Sequence, residues 1–174
     1  MDILVLRLIH IGAGAFWVGS VFTFFLFVQP TGTALGPEGQ KFTYHLIHRR
    51  RLPDVILGSA ILTVLAGITL IVITSNGLDP DILFDASRLG YTVGGVSAIL
   101  TLGVGALYVS PRTRVVDRTL GAFLDAGRPP TDEERQTLMR AGGEARRAGW
   151  FILIGLSIAI LSMASAQYWP VVLG

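Results

Sequence analysis

Residues 3–28 read ILVLRLIHIGAGAFWVGSVFTFFLFV, and the reading of this stretch decides the fold. Arg7 and His10 are its only ionisable side chains. As a helix it is about 39 Å long at ~1.5 Å per residue, more than a hydrocarbon core of ~30 Å. Lipid offers no hydrogen bonds to the backbone, so a run of this kind has to satisfy its own amides as a helix. Three further apolar runs of spanning length follow, at about 55–74, 89–109 and 149–169. The chain therefore reads as all-α, a single transmembrane domain over 1–174 built as a four-transmembrane-helix bundle.

Composition agrees. The chain is 51% hydrophobic and 15% charged, where a soluble domain carries roughly a quarter charged residues. The first run is too long for a signal peptide, has no basic stretch before it and no small-residue cleavage site after it, so it reads as a retained span. The absence of cysteine excludes disulfides, thiolate metal sites and iron–sulfur clusters.

Charge placement sets the expected orientation. The connections 29–54 and 110–148 hold twelve of the fourteen basic residues, whereas the short connection 75–88 holds Asp79, Asp81 and Asp85 against Arg88 alone. The positive-inside bias predicts that both long connections are cytoplasmic and both termini lie outside, in a multi-pass protein of the inner (plasma) membrane. Trp169 and Tyr168 suit the outer interface and Trp150 the inner one. Arginines beside spans are topology determinants, so nucleic acid is not an expected partner.

The basic connections carry helical signals of their own. Pro37 suits the start of a helix bearing Phe42, His45, Leu46 and Arg49. Ser110 and Pro111 suit an N-cap and first position, with Val116, Leu120, Phe123 and Leu124 on one face and Gly127 as a stop. Thr131 with Glu134 fits a capping box. These are expected to be amphipathic helices at the inner interface; a solvated basic loop is the alternative.

Small residues recur at helical spacing: Gly90, Gly94 and Ala98 in the third span, Gly155 and Ala159 in the fourth, Gly12, Gly14 and Gly19 in the first, and Gly58, Ala66 and Gly67 in the second. Such rows let membrane helices approach closely. Some could instead leave room for a flat cofactor. Counting from the span ends places His10 roughly 10 Å below the outer edge. Gly67 to Thr69, Gly94 and Gly95, and Met163 fall at the same level in the other spans.

His10 is the principal candidate. An ionisable group inside a span is costly and faces the bundle interior, and neutral imidazole is a common iron ligand. His10, Gly14 and Trp17 share one helix face, with Arg7 one turn further out. A haem b on His10 would point its propionates toward Arg7 and Arg88, with Met163 as the best second axial ligand and Tyr91 or Gln167 as weaker ones. Alternatively, His10 only bonds a serine or a carbonyl across the bundle. His45 and His48, at i and i+3, could share a metal ion with each other but not with His10, which lies on the opposite side of the membrane. No nucleophile–base pair and no phosphate loop is evident, so the sequence leaves open whether the protein is an enzyme.

The first span, with His10 and then Trp17-Val18-Gly19, resembles the opening helix of the copper-resistance D (CopD)-like membrane proteins. Its spacing is also similar to the first helix of the four-helix, haem-containing membrane protoporphyrinogen oxidase family. The second resemblance implies a haem ligand at His10. The third span carries no lysine and residues 22–27 carry no arginine or histidine, which departs from that oxidase pattern. Methionines are too few for a copper(I) cluster. The expected function is that of a b-type haem-binding or redox-associated protein that exchanges electrons with a quinone or an outer partner. Two alternatives stay open: an accessory subunit of a larger respiratory or photosynthetic complex, and a metal or small-solute permease formed as a homo-oligomer.

Overall fold

The computed structural model describes residues 2–173, and no strand occurs among them. Four helices are long and apolar enough to cross a membrane: α1 (Ile3–Ala34), α3 (Leu52–Thr74), α5 (Ala86–Leu124) and α6 (Asp132–Val172). Two shorter helices join them. One is α2 (Pro37–Tyr44), which runs into a π turn at His45–Arg49, and the other is α4 (Pro80–Leu83). This is the architecture of a multi-pass membrane protein.

The spans pair in sequence order. α1 packs most extensively on α3, and α5 on α6; α3 meets α5 and α1 touches α6 to close the bundle. The core holds Trp17 and Val21 of α1, Ala60 and Val64 of α3, and Ile152, Leu153 and Leu156 of α6. Much of the remaining apolar surface faces outward, including Leu8, Ile11, Leu62, Leu65, Leu100 and Leu161. That inversion is expected where lipid is the solvent and packing rather than water drives association.

Glycine allows the close pairing where the rows of small residues meet. A Cβ on Gly90 would lie 2.7 Å from the Ser162 carbonyl oxygen, and one on Gly94 would lie 2.9 Å from that of Ala159. One on Gly155 would strike the Thr101 hydroxyl, and one on Gly149 the Phe25 ring. Ser97 ties the same interface by donating to the Gly155 carbonyl at 2.7 Å. Gly12, Gly19, Gly58, Gly95 and Gly103 have open space where a side chain would be. The small residues thus divide into packing positions and unfilled ones.

Prolines shape the basic ends of α1 and α5. In each, a π turn (Phe24–Val28, Gly105–Val109) precedes Pro30 or Pro111. A proline ring clashes with the carbonyl four residues back, and the wider turn accommodates it. The two helices are built to one plan. Each starts at an aspartate N-cap, Asp2 or Asp85, that accepts from a backbone amide. With the π turns aligned, Arg7, Gly14 and Pro30 fall in register with Arg88, Gly95 and Pro111.

The connection 110–148 differs from the sequence expectation in two respects. Ser110 is not the start of a separate helix: its backbone is helical and α5 continues through it to Leu124. At 39 and 41 residues, α5 and α6 overrun any bilayer, and their excess lengths pack on each other. The apolar face expected toward lipid is covered by protein, with Leu120 and Phe123 each 2% exposed. Ala141, Ala145 and Ala148 are buried on the α6 side. Arg112 and Glu144 bridge the hairpin at 2.7 Å. α6 begins with the Thr131–Glu134 capping box that the sequence predicts.

Candidate functional site

His10 sits on the face of α1 that meets α3. Its Nδ1 lies 2.8 Å from the Thr63 carbonyl oxygen. A carbonyl can only accept, so Nδ1 carries a proton, and in the neutral ring Nε2 then keeps its lone pair. The ring is half-buried and lies against Gly67, where a Cβ would come within 2.8 Å of Cε1 and 3.0 Å of Nδ1. One turn inward, the buried Thr63 is itself fixed. Its hydroxyl donates to the Ser59 carbonyl at 2.7 Å, and its methyl group packs on Gly14. Gly14, Gly67 and Thr63 therefore set both the position and the tautomer of the imidazole.

The sequence placed His10 level with Gly67 and Met163 level with Gly94, and the structure brings each of these pairs into contact. The expectation that His10 bonds a carbonyl across the bundle also holds, with Thr63 as the partner. That bond uses Nδ1 alone, and Nε2 remains for a ligand. His10 and Met163 are engaged in different helix pairs, His10 on α3 and Met163 under Gly94 of α5. Trp17 is buried in the core at 4% exposure. Gly95 has open space around it. Tyr91 and Gln167 are exposed.

Of the two cations that the sequence reading places toward the outer end, Arg7 is exposed and Arg88 half-buried. Arg88 lies in the first turn of α5 near Asp85. The Asp85 carboxylate is held below its ordinary pKa, chiefly by its hydrogen bonds from Ser87 and to a lesser extent by Arg88.

At the basic end, His45 is exposed and His48 points to Asp117 of α5 at 3.3 Å. His48 also stacks on Tyr44, with ring centroids 4.9 Å apart. Tyr44 donates to Asp125 at 2.9 Å, and that bond raises its pKa. This cluster clamps α2 to the α5 extension. It was not anticipated from the sequence, because its members are distant in the chain. Among the described residues, no group of three or more histidine, aspartate or glutamate side chains is placed to hold a metal ion.

Comparison of the chain with protein-family models, with curated proteins and with solved structures finds no match in any of the three.

Proposed function

We propose that this is an inner-membrane protein, with both termini outside and the α5–α6 hairpin in the cytoplasm, that binds haem b through Nε2 of His10. The observation that carries the reading is the 2.8 Å bond from His10 Nδ1 to the Thr63 carbonyl. Ligating histidines characteristically donate their other ring N–H to a carbonyl or carboxylate, which fixes the tautomer and raises the basicity of the ligand nitrogen. An ionisable residue placed inside a span and aimed by its neighbour is a functional candidate on energetic grounds as well.

Three further residues support the reading. Gly67 gives the imidazole room to lie against α3, and Arg7 and Arg88 supply positive charge toward the outer end for the propionates. Met163 is packed under Gly94, so the reading assigns His10 as the single protein ligand. A bound haem supplies one-electron redox chemistry. The protein would supply orientation, the His10 ring nitrogen and a low-dielectric sleeve. Exchange with a quinone or an outer-face donor is the use that follows from a site near the outer surface.

The test is the reduced-minus-oxidised absorption spectrum of the detergent-purified protein, with haem supplied during expression, alongside His10→Ala. A Soret band in the wild type that is lost in His10→Ala supports the reading. A colourless wild type refutes it. Stable co-purification of colourless protein with other membrane proteins would favour an accessory subunit instead.

A further inference from the structure

The basic end of the bundle carries two apolar grooves that the haem reading does not use. The first runs among α1, α3 and α5, between Trp17, Phe25, Ile56, Ala60 and Leu102. Residues of both π turns line it, so the proline-widened turns open the space. The second, more open, lies along Phe16, Gly19, Thr23 and Val28 of α1. Phe24 and Leu52 line both grooves and form a shared wall.

The few hydroxyls in the first groove are already spent. Thr101 donates to the Ser97 carbonyl, Ser110 to Gly105 and Thr113 to Val109. Apart from the Trp17 indole N–H, the side-chain donors of the lining are spent, so most of the surface it offers is hydrocarbon. Immediately before Leu52 in the chain stand Arg49, Arg50 and Arg51, all exposed. None of the three takes part in the ion pairs found among the described residues. Arg51 holds a left-handed backbone conformation with φ of 49°, an unfavourable geometry for a residue with a Cβ. Arg114, also exposed, follows Thr113 of the first groove. Against these cations stands Asp54, in the first turn of α3.

Two grooves sharing one wall, with cations at the head of that wall, match a molecule with two hydrocarbon chains and one anionic group. We propose that the basic end binds one anionic phospholipid, its acyl chains on either side of the Phe24–Leu52 wall and its phosphate at Arg50 and Arg51. Juxtamembrane arginines attract anionic lipid strongly enough for an occupancy preference on the order of tenfold over a zwitterionic lipid.

Trp17 lines the first groove yet is only 4% exposed, so a chain seated there reaches it while bulk lipid does not. The experiment uses the full chain carrying Trp150→Phe and Trp169→Phe, reconstituted in vesicles of equal parts phosphatidylglycerol and phosphatidylcholine. Bromine is placed on the chains of one lipid or of the other. Trp17 fluorescence is expected to be quenched much more strongly when phosphatidylglycerol carries the bromine. Arg50→Gln with Arg51→Gln should equalise the two quenching levels, and Arg50→Lys with Arg51→Lys should restore the difference. Gly105→Leu, which fills the first groove where a side chain meets only the Ile152 tip at 3.9 Å, should lower quenching by both lipids. Equal quenching by the two brominated lipids in the otherwise wild-type chain overturns the proposal. So does a Trp17 that neither lipid quenches, or a preference that survives the double glutamine variant.

Discussion

Gly67→Ala puts the histidine geometry under the sharpest strain. The added methyl would sit 2.8 Å from His10 Cε1 and 3.0 Å from Nδ1. Ordinary carbon contacts are about 3.5–4.0 Å, so the ring has to retreat by roughly 0.7–1 Å. A 2.8 Å bond to the Thr63 carbonyl, stretched by that amount, is no longer a hydrogen bond. Overpacking costs about 1–3 kcal/mol, and an interhelical bond in a membrane contributes roughly 0.6 kcal/mol. Replacing glycine in a helix returns about 1 kcal/mol. The net expectation is a destabilisation of about 0.5–2.5 kcal/mol in mixed-micelle unfolding. Loss of the carbonyl partner should weaken haem retention by roughly 10–100-fold, the usual cost of removing an outer-shell partner. The assay is the rate of haem transfer to an excess of a scavenger apoprotein. Gly58→Ala is the control on the same helix, because its methyl meets open space, and it should be neutral or slightly stabilising. Wild-type stability and haem retention in Gly67→Ala would refute the reasoning.

Other outcomes follow from the same structure. Met163→Leu should leave the haem spectrum unchanged, because Met163 is packed under Gly94; a shifted spectrum would make it a ligand after all. Gly155→Val should lower the thermal midpoint through a loss of about 1–3 kcal/mol, because its side chain meets the Thr101 hydroxyl at the α5–α6 contact. Glu134 is held down to about 2, first by the Arg128 hydrogen bond and next by the Thr131 amide. A carboxyl depressed on folding stabilises above its ordinary value of 4.5, and that stability is lost as pH falls through about 2. Protection factors in the first turn of α6, corrected for the intrinsic exchange rate, should therefore fall across that window, and Glu134→Gln should remove that fall.

The legible parts of this fold are those that depend on fixed helical rise and on lipid as solvent. Run length located the four spans, and counting from their ends put His10 beside Gly67 and Met163 beside Gly94. The capping box at Thr131 was legible because both of its partners lie within one turn. Pro111 misled at Ser110, since a proline at a helix start and a proline after a π turn look the same in sequence. The partner of His10 was hidden because it is a backbone carbonyl, which any residue supplies. The Tyr44–Asp125 and His48–Asp117 contacts were hidden for another reason: they join residues far apart in the chain, and only the packing of α2 on the α5 extension brings them together. The covered face of Leu120 and Phe123 was half legible. Its amphipathic spacing was plain, but spacing alone does not distinguish lipid from a neighbouring helix.

Pulsed electron paramagnetic resonance on the ferric, haem-loaded protein tests the central claim most directly. In a His45→Ala, His48→Ala background His10 is the only histidine, so nitrogen-15 supplied as histidine labels that ring alone. A strongly coupled nitrogen-15 on the iron is the predicted result. A haem signal without that coupling would contradict the assignment of His10 Nε2 as the ligand.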